Sequence, residues 1–253
     1  MQCEKIIHQT LDAMGFKFEK PHQLVESWNK CLRILCQLGE ECSDALMQIG
    51  KELLNSVNRD ASEIEDKLWM VLEAIARRNQ SGALELTAAA LFNEKTKRKE
   101  EYVDILARFE DGRAIPALIH AVKADCSTGD MGGWTRYKAI NALLRLEARE
   151  AALMIIPYVK DSVDRVRSVA IDFLLDLDVH EAAPAFIEQL SKEDDLDNLE
   201  KLISGLVSWK RTDSLPILRD ILASDWVKAD EELQVVVKDA ISGLEVIEKK
   251  EPL

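Results

Sequence analysis

Leu146-Glu147-Ala148-Arg149-Glu150-Ala151-Ala152 and Leu177-Asp178-Val179-His180-Glu181-Ala182-Ala183 are two versions of one pattern. Each follows an amphipathic stretch and precedes an apolar one, as successive copies of a structural repeat do. With the leading residue as a landmark, the series runs through Leu38, Ile75, Phe109, Leu146, Leu177, Trp209 and Leu244, at spacings of 37, 34, 37, 31, 32 and 35. Three residues before the landmarks stand Leu35, Leu72, Leu106, Leu143, Leu174, Leu206 and Ile241. Seven before stand Cys31, Leu68, Tyr102, Ala139, Ala170, Leu202 and Val237. Offsets of 0, −3 and −7 share one face of a helix, so a first amphipathic helix ends at each landmark.

A second helix follows. Nine residues past the landmarks come Met47, Leu84, Leu118, Ile155, Phe186 and Leu218. Thirteen past come Lys51, Ala88, Val122, Val159, Leu190 and Leu222, Lys51 being the only polar member. Pro116, Pro184 and Pro216 each lie seven past a landmark, where a missing N–H and a fixed φ suit the first turn of a helix. Glu110-Asp111-Gly112 and Lys210-Arg211-Thr212-Asp213 supply turn and capping chemistry just before. Pro157 lies eleven past its landmark and is predicted to kink or delay its helix. Ile6, Ile7, Leu11 and Met14 predict a lone amino-terminal helix. Val235, Val236, Val237, Ile241 and Leu244 predict a last first-type helix. The one long insertion is Ala124–Gly133, rich in Gly, Asp and Ser.

Units of this length, the opening proline, and stretches such as Asp164-Arg165-Val166-Arg167-Ser168-Val169-Ala170 resemble the short-unit HEAT-like repeats of the phycobilisome-lyase type. The resemblance is best over residues 98–223. It implies an all-α fold, a right-handed α-solenoid of about six to seven degenerate helical hairpins with second helices lining a concave face. Residues 1–95 are expected to be divergent repeats continuous with the solenoid, and 96–253 the HEAT-like repeats with a carboxy-terminal cap helix.

The whole chain narrows function. Its 253 residues carry 33 Lys and Arg against 46 Asp and Glu, a formal charge of −13. Phosphate backbones and anionic lipids attract the opposite balance, so a nucleic acid or a membrane surface is not the expected partner. A basic protein surface is. Lys95, Lys97, Arg98 and Lys99 form one local basic patch. Five cysteines, at 3, 31, 36, 42 and 126, include no Cys-x-x-Cys pair, and their pattern predicts neither a zinc site nor a disulfide framework. With no apolar run long enough for a signal peptide or a membrane span, the expected location is a reducing cytoplasm.

Three enzymatic groups share the HEAT-like architecture. Deoxyhypusine hydroxylases hold iron through several His-Glu dipeptides, and this chain has one, His180-Glu181; four histidines at 8, 22, 120 and 180 do not build a di-iron centre. HEAT-like alkylpurine DNA glycosylases use Trp, Arg and Asp on a basic concave face; Trp134-Thr135-Arg136-Tyr137 and Asp225-Trp226 supply such residue types on an acidic chain. Bilin lyases need a tetrapyrrole site, and only Cys126 in the Gly-rich insertion offers an exposed nucleophile. No phosphate loop, nucleophile elbow or zinc-protease motif is present. The reading is therefore a non-enzymatic scaffold or adaptor for a protein, plausibly basic, with no cofactor and no metal; a glycosylase-type nucleic-acid binder and a bilin-handling protein are the alternatives. Trp, Tyr and Arg dominate interface hot spots, which selects Trp134, Arg136, Tyr137, Lys210, Arg211, Asp225 and Trp226 as candidate contacts. Glu193, Asp194, Asp195 and Asp197 form a candidate acidic docking patch, and Trp209, on a landmark, is expected in the core.

Overall fold

The computed structural model describes residues 2–14, 21–58, 62–123, 133–228 and 230–250. The insertion at 124–132, with Cys126, lies outside them. The described residues form fifteen α-helices, joined by turns and 3-10 segments, and no strand. Six pairs are hairpins: α2 (Pro21–Cys36) with α3 (Ser43–Ser56), α4 (Ser62–Arg77) with α5 (Ala83–Phe92), α6 (Lys99–Ala107) with α7 (Ile115–Lys123), α8 (Trp134–Arg145) with α9 (Ala152–Ile155), α10 (Asp164–Asp176) with α11 (Ala183–Leu190), and α12 (Leu196–Ser208) with α13 (Leu215–Ala223). Single helices flank them: α1 (Gln2–Asp12) before, and the short α14 (Asp225–Lys228) and α15 (Glu231–Lys250) after. This is the all-α solenoid class that the repeat predicts.

The chain divides into two compact units, Met1–Met131 and Gly132–Leu253. In the first, first helices α2, α4 and α6 pack on one another in order, and second helices α3, α5 and α7 do the same. In the second, α8, α10, α12 and α15 make the first-helix layer, and the 3-10 segment Ile156–Lys160, α11 and α13 the other. The units meet at 131/132, whereas sequence similarity changes near residue 95; the first is a property of packing, the second of repeat divergence.

The core lies between the two helix layers of each unit. All seven residues at offset −7 are buried, and so are Leu35, Leu72, Leu106, Leu143, Leu174 and Leu206 at offset −3. Burying each side chain contributes about 1.5–3 kcal/mol, which is what stabilises helices as short as nine residues. Ile7, Leu11 and Met14 of α1 are equally buried.

The corners are the most regular feature. Glu110, Glu147, Asp178 and Lys210, each one past a landmark, all have positive φ, between 49 and 55°. A left-handed residue there lets the next N–H turn back onto the helix end: Ala148 N donates to Leu143 O at 3.0 Å, Val179 N to Leu174 O at 2.9 Å and Arg211 N to Leu206 O at 2.9 Å. Each corner then runs into a 3-10 turn, at Gly112–Ala114, Arg149–Ala151, His180–Ala182 and Thr212–Ser214. The same corner corrects the register in the second hairpin. Its left-handed residue is Asn79, with Gln80 N donating to Ile75 O at 3.0 Å. The landmark is therefore Arg78, not Ile75, because the corner and not the apolar pattern ends the helix. Thr87 and Leu91, nine and thirteen past Arg78, are fully buried, while Ala88 is only half-buried.

Pro157 acts as its position predicts: α9 stops at Ile155 and the chain continues as 3-10 helix over Ile156–Lys160. One expectation is overturned. Cys3 and Cys42 form a disulfide that ties the first turn of α1 to the turn opening α3. Cysteines 39 residues apart carry no sequence mark of pairing; only the stacking of α1 on the first hairpin brings them together. Cys31 is buried and Cys36 half-buried, both as thiols.

Candidate functional site

All the sequence-selected site residues fall in the second unit, and the fold distributes them over three places. The first is the start of α8. Gly133, at φ 72°, turns the chain into the helix, and a Cβ there would strike Val166 and crowd Val163. That close approach seats Trp134 beside α10. The Trp134 ring is 41% exposed, an unusual state for so large an apolar surface. The Arg165 guanidinium lies 4.0 Å over its centroid, and Tyr137, one turn on, meets it edge-on at 5.7 Å. Arg165 Nη1 is buried with no hydrogen-bond partner. Arg136 faces the other way: its Nε and Nη2 fork onto Asp161 at 3.0 and 3.2 Å, clamping α8 to the joint before α10.

Asp161 begins a polar seam. Its Oδ1 accepts from Val163 N at 2.9 Å, and its carbonyl accepts from Arg167 Nη1 at 3.1 Å. Arg167 then grips Glu193 through Nε at 2.9 Å and Nη2 at 2.6 Å, and reaches Asp194 at 2.7 Å. The Glu193 side chain is 0% exposed. Burial pushes its carboxyl up, but Arg167, Gln189 and the Asp195 N–H outweigh burial and hold it below the usual carboxylate range. Glu193 is thus a correction to the proposed patch: it is an internal counter-ion, because a buried arginine must be paired. Asp195 caps α12, accepting from Asn198 N at 2.9 Å. Asp194, 87% exposed, and Asp197 face solvent. A cavity of about 470 Å³ opens here, lined by Ser162, Val163, Asp164, Arg167, Asp194 and Asp195.

The second place is the last corner. Lys210 is the exposed left-handed residue, and Arg211 is paired with Asp213 through Nη2 at 2.6 Å. Trp209 is buried as expected, its Nε1 donating to Asp178 Oδ1 at 2.9 Å, with His180 and Phe186 against its ring. The third is α14, where Asp225 is fully exposed and Trp226 is 47% exposed.

Trp134 and Tyr137 are therefore brought together, while Lys210, Arg211, Asp225 and Trp226 sit on other repeats. Arg165 and Arg167 escaped selection, although the Asp164–Ala170 stretch that contains them was the strongest repeat signature; a residue read as family pattern was not also read as surface. Among the described residues no group of three or more His, Cys, Asp or Glu side chains is placed to hold a metal ion. No helix there is long and apolar enough to cross a membrane.

No family model and no curated protein matches the chain. Several solved structures do. An engineered protein aligns over 94% of this chain and 68% of its own, at 14% identity and a TM-score of 0.50. The complex of CpcE and CpcF of phycocyanin lyase from Nostoc sp. PCC7120 aligns over 94% of each chain, at 15% identity and a TM-score of 0.46. Human deoxyhypusine hydroxylase in complex with glycerol aligns over 99% of this chain and 98% of its own, at 14% identity and a TM-score of 0.39. At such identities the likeness to the engineered protein is one of fold alone.

Proposed function

We propose that the chain is a non-catalytic protein-binding scaffold whose contact centre is the exposed Trp134 ring under the Arg165 guanidinium. Two supports carry this reading. A stacked Trp–Arg pair with Tyr137 alongside has the residue composition in which interface energy concentrates. It also leaves a buried guanidinium N–H unpartnered, a group that gains on meeting an acceptor.

The partner we favour is basic. The second unit holds 24 Asp and Glu against 16 Lys and Arg, and Asp194 and Asp197 stand exposed beside the Trp134 seam. Charges of that kind steer a basic protein and speed its association more than they tighten it.

The test is affinity capture with wild-type chain, Trp134→Ala and Asp194→Asn/Asp197→Asn as baits. A true partner is retained by wild type, falls at least about tenfold with Trp134→Ala, and slows its association in the double variant at low salt. A partner held equally by wild type and Trp134→Ala removes this centre. One whose binding strengthens with the acidic pair deleted removes its basic character.

A further inference from the structure

The Cys3–Cys42 disulfide joins two unlike sulfurs. Cys42 is 2% exposed, in the turn Glu40–Cys42 that opens α3, whereas Cys3 is half-buried in the first turn of α1. The rest of α1 is anchored from its other end. Ile7, Leu11 and Met14 are buried, and α1 packs on both α2 and α3. Ser27 Oγ donates to Met14 O at 2.8 Å, Cys31 Sγ to Thr10 O at 3.3 Å, and Lys67 Nζ meets Asp12 Oδ1 at 2.8 Å. These polar anchors gather at residues 10–14, a full two turns from Cys3. The helix is thus fixed at one end by packing and hydrogen bonds and tied at the other by a covalent bond.

We propose that Cys3–Cys42 is a thiol–disulfide exchange site, opened at the Cys3 sulfur by a small external thiol. Opening it unlatches the amino-terminal turns of α1 while residues 10–14 stay docked. The external thiolate attacks Cys3 Sγ. A bond forms between the two sulfurs, the Cys3–Cys42 bond breaks, and the electron pair leaves on Cys42 Sγ, which takes a proton from water. A second external thiol displaces Cys3 from the mixed disulfide. In balance the chain gains two electrons and two protons, and the two external thiols are oxidised to their disulfide. Exposure selects Cys3 as the attacked sulfur, because an attacking thiol must approach along the S–S axis and Cys42 is covered. The chain's own thiols do not compete. Burial pushes both Cys31 and Cys36 up, so neither supplies thiolate at neutral pH.

The consequence lies in the exposure of apolar surface. α1 is a single helix with no hairpin partner, and its stability comes from the first hairpin alone. Closing a loop of 39 residues in sequence restricts the unfolded chain, so breaking the link weakens the weakest-held element first.

The experiment uses the full chain, purified without reductant. Alkylation and peptide mass spectrometry are expected to leave Cys3 and Cys42 unlabelled until a dithiol reductant is added. With limiting glutathione, quenched early by alkylation, the adduct is expected on Cys3 and not on Cys42. Hydrogen exchange then compares the oxidised and reduced chains. Amides in residues 3–9 are expected to exchange at least about tenfold faster after reduction, with residues 10–14 and α10 of the second unit unchanged. Cys42→Ser without reductant is expected to match the reduced chain, which separates loss of this bond from any other action of the reductant. Labelling of both cysteines in the unreduced chain, glutathione retained on Cys42, or equal exchange in the two redox forms would overturn the proposal.

Discussion

The two units use the same helical layers but hold their neighbours differently. In the second unit, successive first helices are linked by one device used repeatedly: an arginine near the start of the helix, Arg136 or Arg167, reaches an acid at the next joint, Asp161 or Glu193. In the first unit each link is of its own kind. A disulfide ties α1 to α3. Arg98 lies 5.5 Å from both the Trp28 and Trp69 rings and donates to Asp66 and Glu101, each at 2.8 Å. Arg78 gathers the carbonyls of Cys36, Leu38 and Gly39 that end α2. The difference teaches why one half reads as a repeat family and the other only as helical. A link that recurs leaves a recurring residue at a fixed offset; individual links leave none.

The largest expected effect separates those two modes. Arg167→Ala leaves the fully buried Glu193 without its counter-ion and is predicted to cost about 3–5 kcal/mol. Arg98→Ala loses a partly solvated pair and two ring contacts, and is predicted to cost about 2 kcal/mol. Urea unfolding, read by hydrogen exchange in each unit, checks both. An Arg98 variant as damaged as the Arg167 one would erase the distinction drawn above.

Packing comes next. A Cβ on Gly205 would overlap Leu175 Cδ2 and press on Phe186 at 3.1 Å, whereas one on Gly50 would meet Leu86 at 2.9 Å and Val71 at 3.3 Å. Gly205→Ala is predicted to cost about 2–3 kcal/mol. Gly50→Ala is predicted to cost about 1 kcal/mol or less, since the gain in helix propensity offsets a milder clash. Thermal melting of both variants ranks them, and a larger loss at Gly50 would show the first unit to be the tighter stack.

Acid should affect both units through one carboxylate each. Burial pushes Glu73 up, but Arg108 and Arg77 outweigh it and hold its carboxyl below the usual range, as Arg167 does for Glu193. A folded value below the unfolded one, which is about 4.3, stabilises the fold above that pH. The gain is lost as pH falls through the depressed folded value. The predicted loss is about 1–2 kcal/mol per site between pH 5 and the acid limit. Urea midpoints against pH should flatten for Glu73→Gln in the first unit and Glu193→Gln in the second. A slope unchanged by either substitution would move the acid sensitivity elsewhere.

The smallest effect concerns the corners. Lys210→Gly removes a side chain from a left-handed position and is predicted to stabilise by about 0.5–1 kcal/mol. Asn79→Gly changes little, about 0.3 kcal/mol, because asparagine already tolerates that conformation. A calorimetric shift larger for Asn79→Gly than for Lys210→Gly would contradict this.

Apolar periodicity located nearly every buried position, because a residue three or seven before a corner has nowhere to go but the core. It misplaced the second hairpin by one turn, since Ile75 and Arg78 lie on the same helix face and only the left-handed Asn79 distinguishes them. The site was less readable. Glu193 looked like part of a solvated acidic run until the fold set it against Arg167, and Arg136 looked exposed until Asp161 met it. Whether a charged residue is spent on its own chain is decided by partners 25 or 26 positions away, beyond the reach of local pattern. Trp134, by contrast, follows a glycine and opens a helix, and its exposure follows from that position.

The corners carry one more consequence. Glu147, Asp178 and Lys210 bend the backbone alike, at intervals of 31 and 32 residues. A segment cut from one corner to the next therefore begins and ends on the same conformation, with the same hydrogen bond waiting at either junction. Such a segment is a cassette. It can be duplicated or removed by a single recombination event without any new turn having to evolve, so the length of this protein is open to change in whole repeats while the joints stay as they are.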